Sequence, residues 1–283
     1  MIPFSMQTLV SNFLPALMIA AMLTACTGHK VQDKPAQAVS SKDSQVGYLP
    51  ASALPDSYQL LPPPPAADSA AFALDQKFSK NSLALRDTPA WALAKLDADY
   101  SFPQGADTFS CALNAPVTEQ DTPHLYTLLR RSVIDAKESA KAAKERYHRL
   151  RPFLINNEPI CTPEDRPRLE KSGSYPSSHN AIGMAWALIL TEVSPDQANA
   201  ILARGQAFGM SRIVCNVHWY SDTLQGRFLG AYTVAMLHAD ANFLKDVEAA
   251  KAELKAVRAK GLKPTRDCQA EKAGMDLQQS LYR

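Results

Sequence analysis

The run Ala181-Ile182-Gly183-Met184-Ala185-Trp186-Ala187-Leu188-Ile189-Leu190 holds no charged or hydrogen-bonding side chain except the Trp186 indole. A surface helix shows one apolar stripe, whereas a segment apolar almost all round needs cover on every side, so this run is predicted to be a helix buried at the centre of a bundle. Helix punctuation continues outward from it. Ser194-Pro195-Asp196-Gln197 follows with a capping-box glutamine, and Thr88-Pro89 and Thr122-Pro123 each set a hydroxyl before a proline at a first helical position. A long helix is predicted over about Asp222 to Asp240, and the Ala/Lys/Glu-rich segment Asp246 to Lys260 reads as a solvated surface helix. Convincing period-2 strands and internal repeats are absent from the pattern, so the fold class is all-α: a single helical-bundle domain over residues 57–270 with a C-terminal tail at 271–283.

Across 283 residues, 46% are apolar, enough for a core, and 30 Lys+Arg against 28 Asp+Glu leave a net charge of +2. No global basic field exists to hold nucleic acid by phosphate neutralisation, so any anion site must be local. Residues 1–25 carry no charged side chain, and Phe13 to Ala25 is mostly apolar but shorter than the ~20 residues of a membrane span. The run ends in Leu23-Thr24-Ala25-Cys26, which resembles a bacterial lipobox. The expectation is a lipoprotein signal at 1–25, lipid on Cys26 and a flexible polar tether over 26–56; an ordinary secretory signal is the alternative. Membrane contact is then through the N-terminal lipid alone, in the periplasm. Pro62 to Pro65 read as a stiff strap at the domain edge, with a polyproline binding ligand as the alternative. Cys111, Cys161, Cys215 and Cys268 remain, an even number in an oxidising compartment, and disulfides are expected with the pairing open; Cys215, among Ile213, Val214 and Val217, also fits a buried thiol.

Three clusters carry chemistry. In Lys144-Glu145-Arg146-Tyr147-His148-Arg149-Leu150-Arg151-Pro152, a helical spacing of seven puts Lys144 and Arg151 on one face, and Pro152 is expected to end the helix at Arg151. By itself such a basic helix end is a solvated face complementing the helix dipole. In Gly173-Ser174-Tyr175-Pro176-Ser177-Ser178-His179 a loop of small hydroxyl residues opens the buried helix, where free N–H groups of the first turn can seat an anion and His179 can donate to it. The bland reading is a serine N-cap beside an incidental histidine. In Ser211-Arg212-Ile213-Val214-Cys215-Asn216-Val217-His218-Trp219-Tyr220-Ser221-Asp222, Asp222 lies one turn from His218 and can fix its tautomer, while Arg212 offers a planar fork for two phosphate oxygens. A His–Asp pair merely tying two helices is the competing reading.

Taken in order, Lys-x6-Arg-Pro, Pro-Ser-x-His and Ser-Arg-x5-His-x3-Asp resemble the three-part signature of the class A bacterial non-specific acid phosphatases, in the type 2 phosphatidic acid phosphatase and vanadium haloperoxidase superfamily. The resemblance implies a metal-independent, cofactor-free phosphatase with a phosphohistidine intermediate. His218 would be the nucleophile, Asp222 its partner and His179 the acid; Lys144, Arg151, Ser177, Ser178 and Arg212 would hold the phosphate. Substrates would be small phosphomonoesters such as nucleotides, sugar phosphates and aryl phosphates, and relatives suggest a homodimer. Ser178 stands where the family usually has glycine. The six histidines form no HExxH or paired His-carboxylate motif, so no metal site is expected. Asp222 is expected to raise the proton affinity of His218 and the cations to lower that of His179. A vanadate-dependent haloperoxidase and a non-catalytic phosphate-binding lipoprotein are the alternatives.

Overall fold

The apolar decapeptide forms the middle of a helix over Ser178–Val193, and Ala181, Ile182, Ala185, Trp186, Ile189 and Leu190 are all buried. The structure is a computed structural model describing residues 46–283; the expected leader at 1–25, Cys26 and the tether up to residue 45 lie outside the described residues. In chain order the principal helices are α1 (Ala70–Ser82), α2 (Pro89–Leu96), α3 (Pro123–Glu138), α4 (Lys141–Tyr147), α5 (Ser178–Val193), α6 (Ala198–Val214), α7 (Tyr220–Leu237), α8 (Ala241–Ala259) and α9 (Cys268–Gln278). Among the described residues there is no strand, and no helix is long and apolar enough to cross a membrane. The fold class is all-α.

α5 is packed by α3, α6, α7 and α8, leaving a stripe through Met184, Leu188 and Thr191 partly exposed. The closest crossing is with α7. A Cβ on Gly230 would collide with the Ala181 carbonyl and one on Gly226 with the Ser177 carbonyl, so two glycines one turn apart let α7 lie directly on the start of α5. This contact brings the first turns of the two helices together, and the Ser177 N–H donates to the Asp222 carbonyl at 3.0 Å.

Several helix starts follow the sequence, but by other means. α2 and α3 begin at Pro89 and Pro123, yet neither threonine hydroxyl caps: Thr88 Oγ1 donates back to the Leu85 carbonyl at 2.6 Å, and Thr122 Oγ1 donates to the Thr118 carbonyl at 3.1 Å. The expected capping box at Ser194 is instead a 3-10 turn over Pro195–Gln197, with the Ser194 hydroxyl donating to Asp196, and α6 begins at Ala198. Side-chain caps fall at Ser69, Ser177, Asp240 and Asp267.

The C-terminal segment is not a tail. α9 packs on α2 and α6, and the 3-10 turn Gln279–Tyr282 packs on α1, with Leu281 buried. The Cys111–Cys268 disulfide fastens α9, and Glu271 pairs with Arg204 and Arg266, both of which also pair with Asp97. Nor is all of 26–56 a free tether: from Tyr48 the chain is docked, the Tyr48 and Leu49 N–H groups donating to the Asp135 carboxylate and the Tyr48 hydroxyl to Asp246. The prolines do form a strap, held where the Tyr175 hydroxyl donates to the Pro62 carbonyl at 2.6 Å. The second disulfide, Cys161–Cys215, closes the end of α6 within the third motif.

Candidate active site

The first motif reaches the site by a route that helical periodicity does not give. α4 ends at Tyr147, four residues earlier than expected, because His148 takes a left-handed conformation (φ 45°) that turns the chain back. Arg149 to Arg151 then run in from the surface, and Arg151 is the extended residue before the one-turn helix Pro152–Asn156, as a residue preceding proline should be. Lys144 and Arg151 therefore converge from two backbone segments. Nζ of Lys144 donates to the carbonyls of Gly173 and Pro176, each at 2.9 Å, clamping the loop that leads into α5. Arg151 Nε donates to the Leu169 carbonyl at 3.0 Å and Nη2 to Ser172 Oγ at 3.0 Å, while Nη1 donates to the Val217 carbonyl at 2.8 Å.

Nη1 of Arg151 also lies 3.2 Å from Nε2 of His218. A guanidinium can only donate, so Nε2 accepts and carries a lone pair. The imidazole proton is therefore on Nδ1, which faces Asp222 Oδ2 at 3.2 Å. The same Oδ2 accepts from the Trp219 N–H at 2.9 Å, at the start of α7. Ser177, fully buried, caps α5 by accepting from the Asn180 N–H, so its hydroxyl proton stays available. The Ser178 and His179 N–H groups of that first turn have no carbonyl of their own helix to bind. His179 stacks on Phe208 with ring centroids 4.1 Å apart and meets the edge of Tyr100.

Arg151, His179, Arg212 and His218 are only 3%, 5%, 4% and 6% exposed. Yet His179 Nε2 and the Nε and Nη1 atoms of Arg212 have no hydrogen-bond partner. Buried polar atoms are almost always paired, so three orphaned nitrogens in one locality, two of them guanidinium donors, mark a seat for an acceptor-rich ligand. All eight polar positions named from sequence fall in this neighbourhood; Ser178 is half-buried at its rim, in a cleft of about 360 Å³ that Lys144 and Gly173 also line. Ser178 is not among the residues with positive φ, so serine replaces glycine there without backbone strain.

The PAP2 superfamily profile matches residues 124–245. A non-specific acid phosphatase of Providencia stuartii is 41% identical over 207 residues, 73% of this chain and 84% of that protein. This chain belongs to the PAP2 superfamily, among the bacterial non-specific acid phosphatases. A Zymomonas mobilis acid phosphatase is 40% identical over 203 residues, 72% of this chain and 77% of its own. The structure of a bacterial vanadium-dependent iodoperoxidase is similar at 19% identity and a TM-score of 0.46, over 64% of this chain and 54% of its own.

Electrostatics in this acid phosphatase homologue differ from expectation in one respect. His179 is held well below the ordinary histidine value, as expected, by burial first and then by Arg212 and His218. His218 is also held well below it, whereas a rise was expected from Asp222. Burial is the largest cause, and Arg151, Lys144, Arg212 and Arg149 all repel a proton there. Arg149, inside the first motif, is the cation among them that no spacing pattern points to. Its Nη1 donates to Asp222 Oδ1 at 2.6 Å, and its Nη2 to Asp75 on α1 at 2.7 Å, so the carboxylate facing His218 is already paired. Lys144 is pushed down to about 7 by burial and by Arg151, and Arg151 and Arg212 each to about 10, again chiefly by burial. Five proton affinities lowered together, against the opposing pull of Asp222, describe a pocket that gains from an incoming anion.

Proposed function

We propose that the protein hydrolyses phosphate monoesters at this site by two successive in-line transfers through His218. The observation that carries the reading is the set of orphaned, buried nitrogens on His179 and Arg212 near a neutral His218 whose Nε2 lone pair is fixed by Arg151 on one side and Asp222 on the other. A dianionic phosphoryl group fills that seat, drawing Arg151 Nη1 from the imidazole to an oxygen. The Nε2 lone pair forms a bond to phosphorus as the ester P–O bond breaks, and His179 gives its proton to the departing oxygen. Water then loses a proton to His179 and attacks phosphorus, the N–P bond returns its electron pair to Nε2, and phosphate leaves. Lys144, Arg151 and Arg212 neutralise charge on the equatorial oxygens, with Lys144 acting by field, since its protons are committed to the loop carbonyls.

Proton placement gives the pH dependence. His218 stays neutral well below pH 6.5, so the nucleophile survives mild acid. His179 is neutral in the free enzyme and takes its proton together with the dianion, or from a monoanionic ester, whose second ionisation is near ~6. Above about pH 7 the free enzyme loses the charge on Lys144, and kcat/KM falls with it. A substrate panel of p-nitrophenyl phosphate, a nucleotide and a sugar phosphate, assayed with chelator present, is expected to show hydrolysis with an optimum at about pH 5–7. An optimum above pH 8, or halide oxidation with vanadate and peroxide in place of hydrolysis, would overturn the assignment. The cleft beside Ser178 is rimmed by Lys137, Lys141 and Lys171 against Glu138 and Glu145, a small positive excess that favours leaving groups carrying negative charge.

Localisation to the periplasm, lipid-tethered through Cys26, is part of the same proposal. It is supported by Leu23-Thr24-Ala25-Cys26 and by two disulfides, which persist in oxidising compartments. In cells fed a palmitate analogue, label is expected on the wild type and absent from Cys26→Ala; an unlabelled wild type refutes the tether.

A further inference from the structure

We infer that Asp75 and Arg149 are positioning residues for the nucleophile: a buried Asp75–Arg149–Asp222 chain locks the carboxylate that faces His218 and limits how strongly that carboxylate can draw a proton onto the imidazole. The inference rests on the proposed role of His218, and deepens it by naming what sets that residue's state.

The three side chains come from distant parts of the sequence, α1, the segment after α4, and α7. Asp75 and Asp222 have fully buried side chains, and Arg149 is 9% exposed. Arg149 Nη2 donates to Asp75 Oδ2 at 2.7 Å and Nη1 to Asp222 Oδ1 at 2.6 Å, while Nη1 also donates to Ser221 Oγ at 2.7 Å. Ser221 closes the ring, its N–H donating to Asp75 Oδ1 at 2.7 Å and its hydroxyl to Asp75 Oδ2 at 2.6 Å. Asp75 thus grips both Arg149 and the first turn of α7. Asp222 in turn receives Arg149 on one oxygen, and the Trp219 N–H and the His218 Nδ1–H on the other. Phe72 and Trp219, 5.5 Å apart, cover the guanidinium.

Charge accounts for the arrangement. A buried carboxylate paired only with His218 would share the Nδ1 proton and favour a cationic imidazole, which cannot attack phosphorus. Arg149 satisfies one oxygen of Asp222 and adds a positive charge near the ring; Asp75 tempers that charge and fixes where it sits. The groups facing His218 are Lys144 from α4, Arg149 and Arg151 from the segment that follows, His179 from α5, Arg212 from α6, and its own partner Asp222 from α7. Within that set Asp222 and, behind it, Asp75 are the negative members. A buried pair kept only to tie helices together would leave the imidazole indifferent to which end of the chain is removed.

The decisive experiment titrates His218 by ¹⁵N-histidine NMR in the full chain, its signal assigned by loss in His218→Ala, alongside kcat, KM and thermal melting. Asp75→Asn is expected to lower the proton affinity of His218, because Arg149 is then less neutralised. Arg149→Met is expected to raise it, because a cation is lost and Asp222 is freed toward the ring. Both should cost about 10–100-fold in kcat, as loss of an orienting partner does, with KM changed by less than about threefold. Arg149→Met leaves two carboxylates buried together and can fail to fold. The double variant Asp75→Asn/Arg149→Met avoids that burial, and because Asp75 then has no cation to temper, part of the rise expected on losing Arg149 should remain. A His218 titration unchanged from wild type in Asp75→Asn and in the double variant overturns the inference, as does a kcat loss that only tracks the folded fraction. Absence of hydrolysis in the wild type would sink the functional reading alone, since the titration does not depend on turnover.

Discussion

His218→Ala is expected to abolish turnover, with kcat falling by on the order of 10⁴–10⁶, as when a nucleophile of a cooperating set is removed. The protein should remain folded. The side chain makes polar contacts with Asp222 and Arg151, and both keep other partners: Asp222 holds Arg149 and the Trp219 N–H, while Arg151 retains its bonds to Val217, Leu169 and Ser172. The cationic seat is also intact, so inorganic phosphate should still inhibit or stabilise the variant. Brief reaction with ³²P-labelled ester followed by denaturation should trap an acid-labile phosphoenzyme in the wild type and none in His218→Ala. A variant that keeps near wild-type turnover, or still traps label, would remove His218 as the nucleophile.

His179→Asn should have the second-largest effect, and its size should depend on the leaving group. General acid catalysis contributes typically 10²–10⁴-fold, and an alkoxide needs the proton while a nitrophenolate departs without one. Sugar phosphates should therefore lose activity by about 10²–10⁴-fold, and p-nitrophenyl phosphate much less in the first transfer. The second transfer still wants His179 to take a proton from water, so p-nitrophenyl phosphate should give a burst of phenolate followed by slow turnover, with phosphohistidine accumulating. Asparagine keeps a polar, planar group between Phe208 and Tyr100, which limits the packing loss where His179 is stacked. Equal losses for both leaving groups, with no burst, would show that His179 binds phosphate rather than transferring a proton.

Local patterns made much of this legible. Ala181 to Leu190 required a buried helix because no face could meet water, and α5 is that helix. Pro89 and Pro123 fixed two helix starts because proline tolerates the first turn and little else. Helical spacing pointed to the His218–Asp222 pair, but His218 lies ahead of α7, which starts at Tyr220; the pair forms because the Asp222 carboxylate turns back over the helix start, where its Oδ2 takes both the Trp219 N–H and His218 Nδ1–H. The cysteines promised disulfides but not Cys111–Cys268 and Cys161–Cys215, since pairing is a fact of distance in three dimensions. Residues 271–283 looked like a tail because their polar composition hides Glu271, whose burial is made tolerable by Arg204 and Arg266 from elsewhere in the chain.

Residue identity alone therefore determined an all-helical chain and the kinds of side chain its site holds. Which of them touch was decided only by the tertiary structure, and with that their charge states. Arg149 shows why: no spacing rule links it to Asp75 and Asp222, which lie 74 and 73 residues away. Once burial strips their water, that contact and the nearby cations outweigh the local His–Asp pair and leave His218 less ready to hold a proton. Short-range geometry is encoded by neighbours in sequence; electrostatics in a buried site sum over everything the fold has brought within a few ångströms.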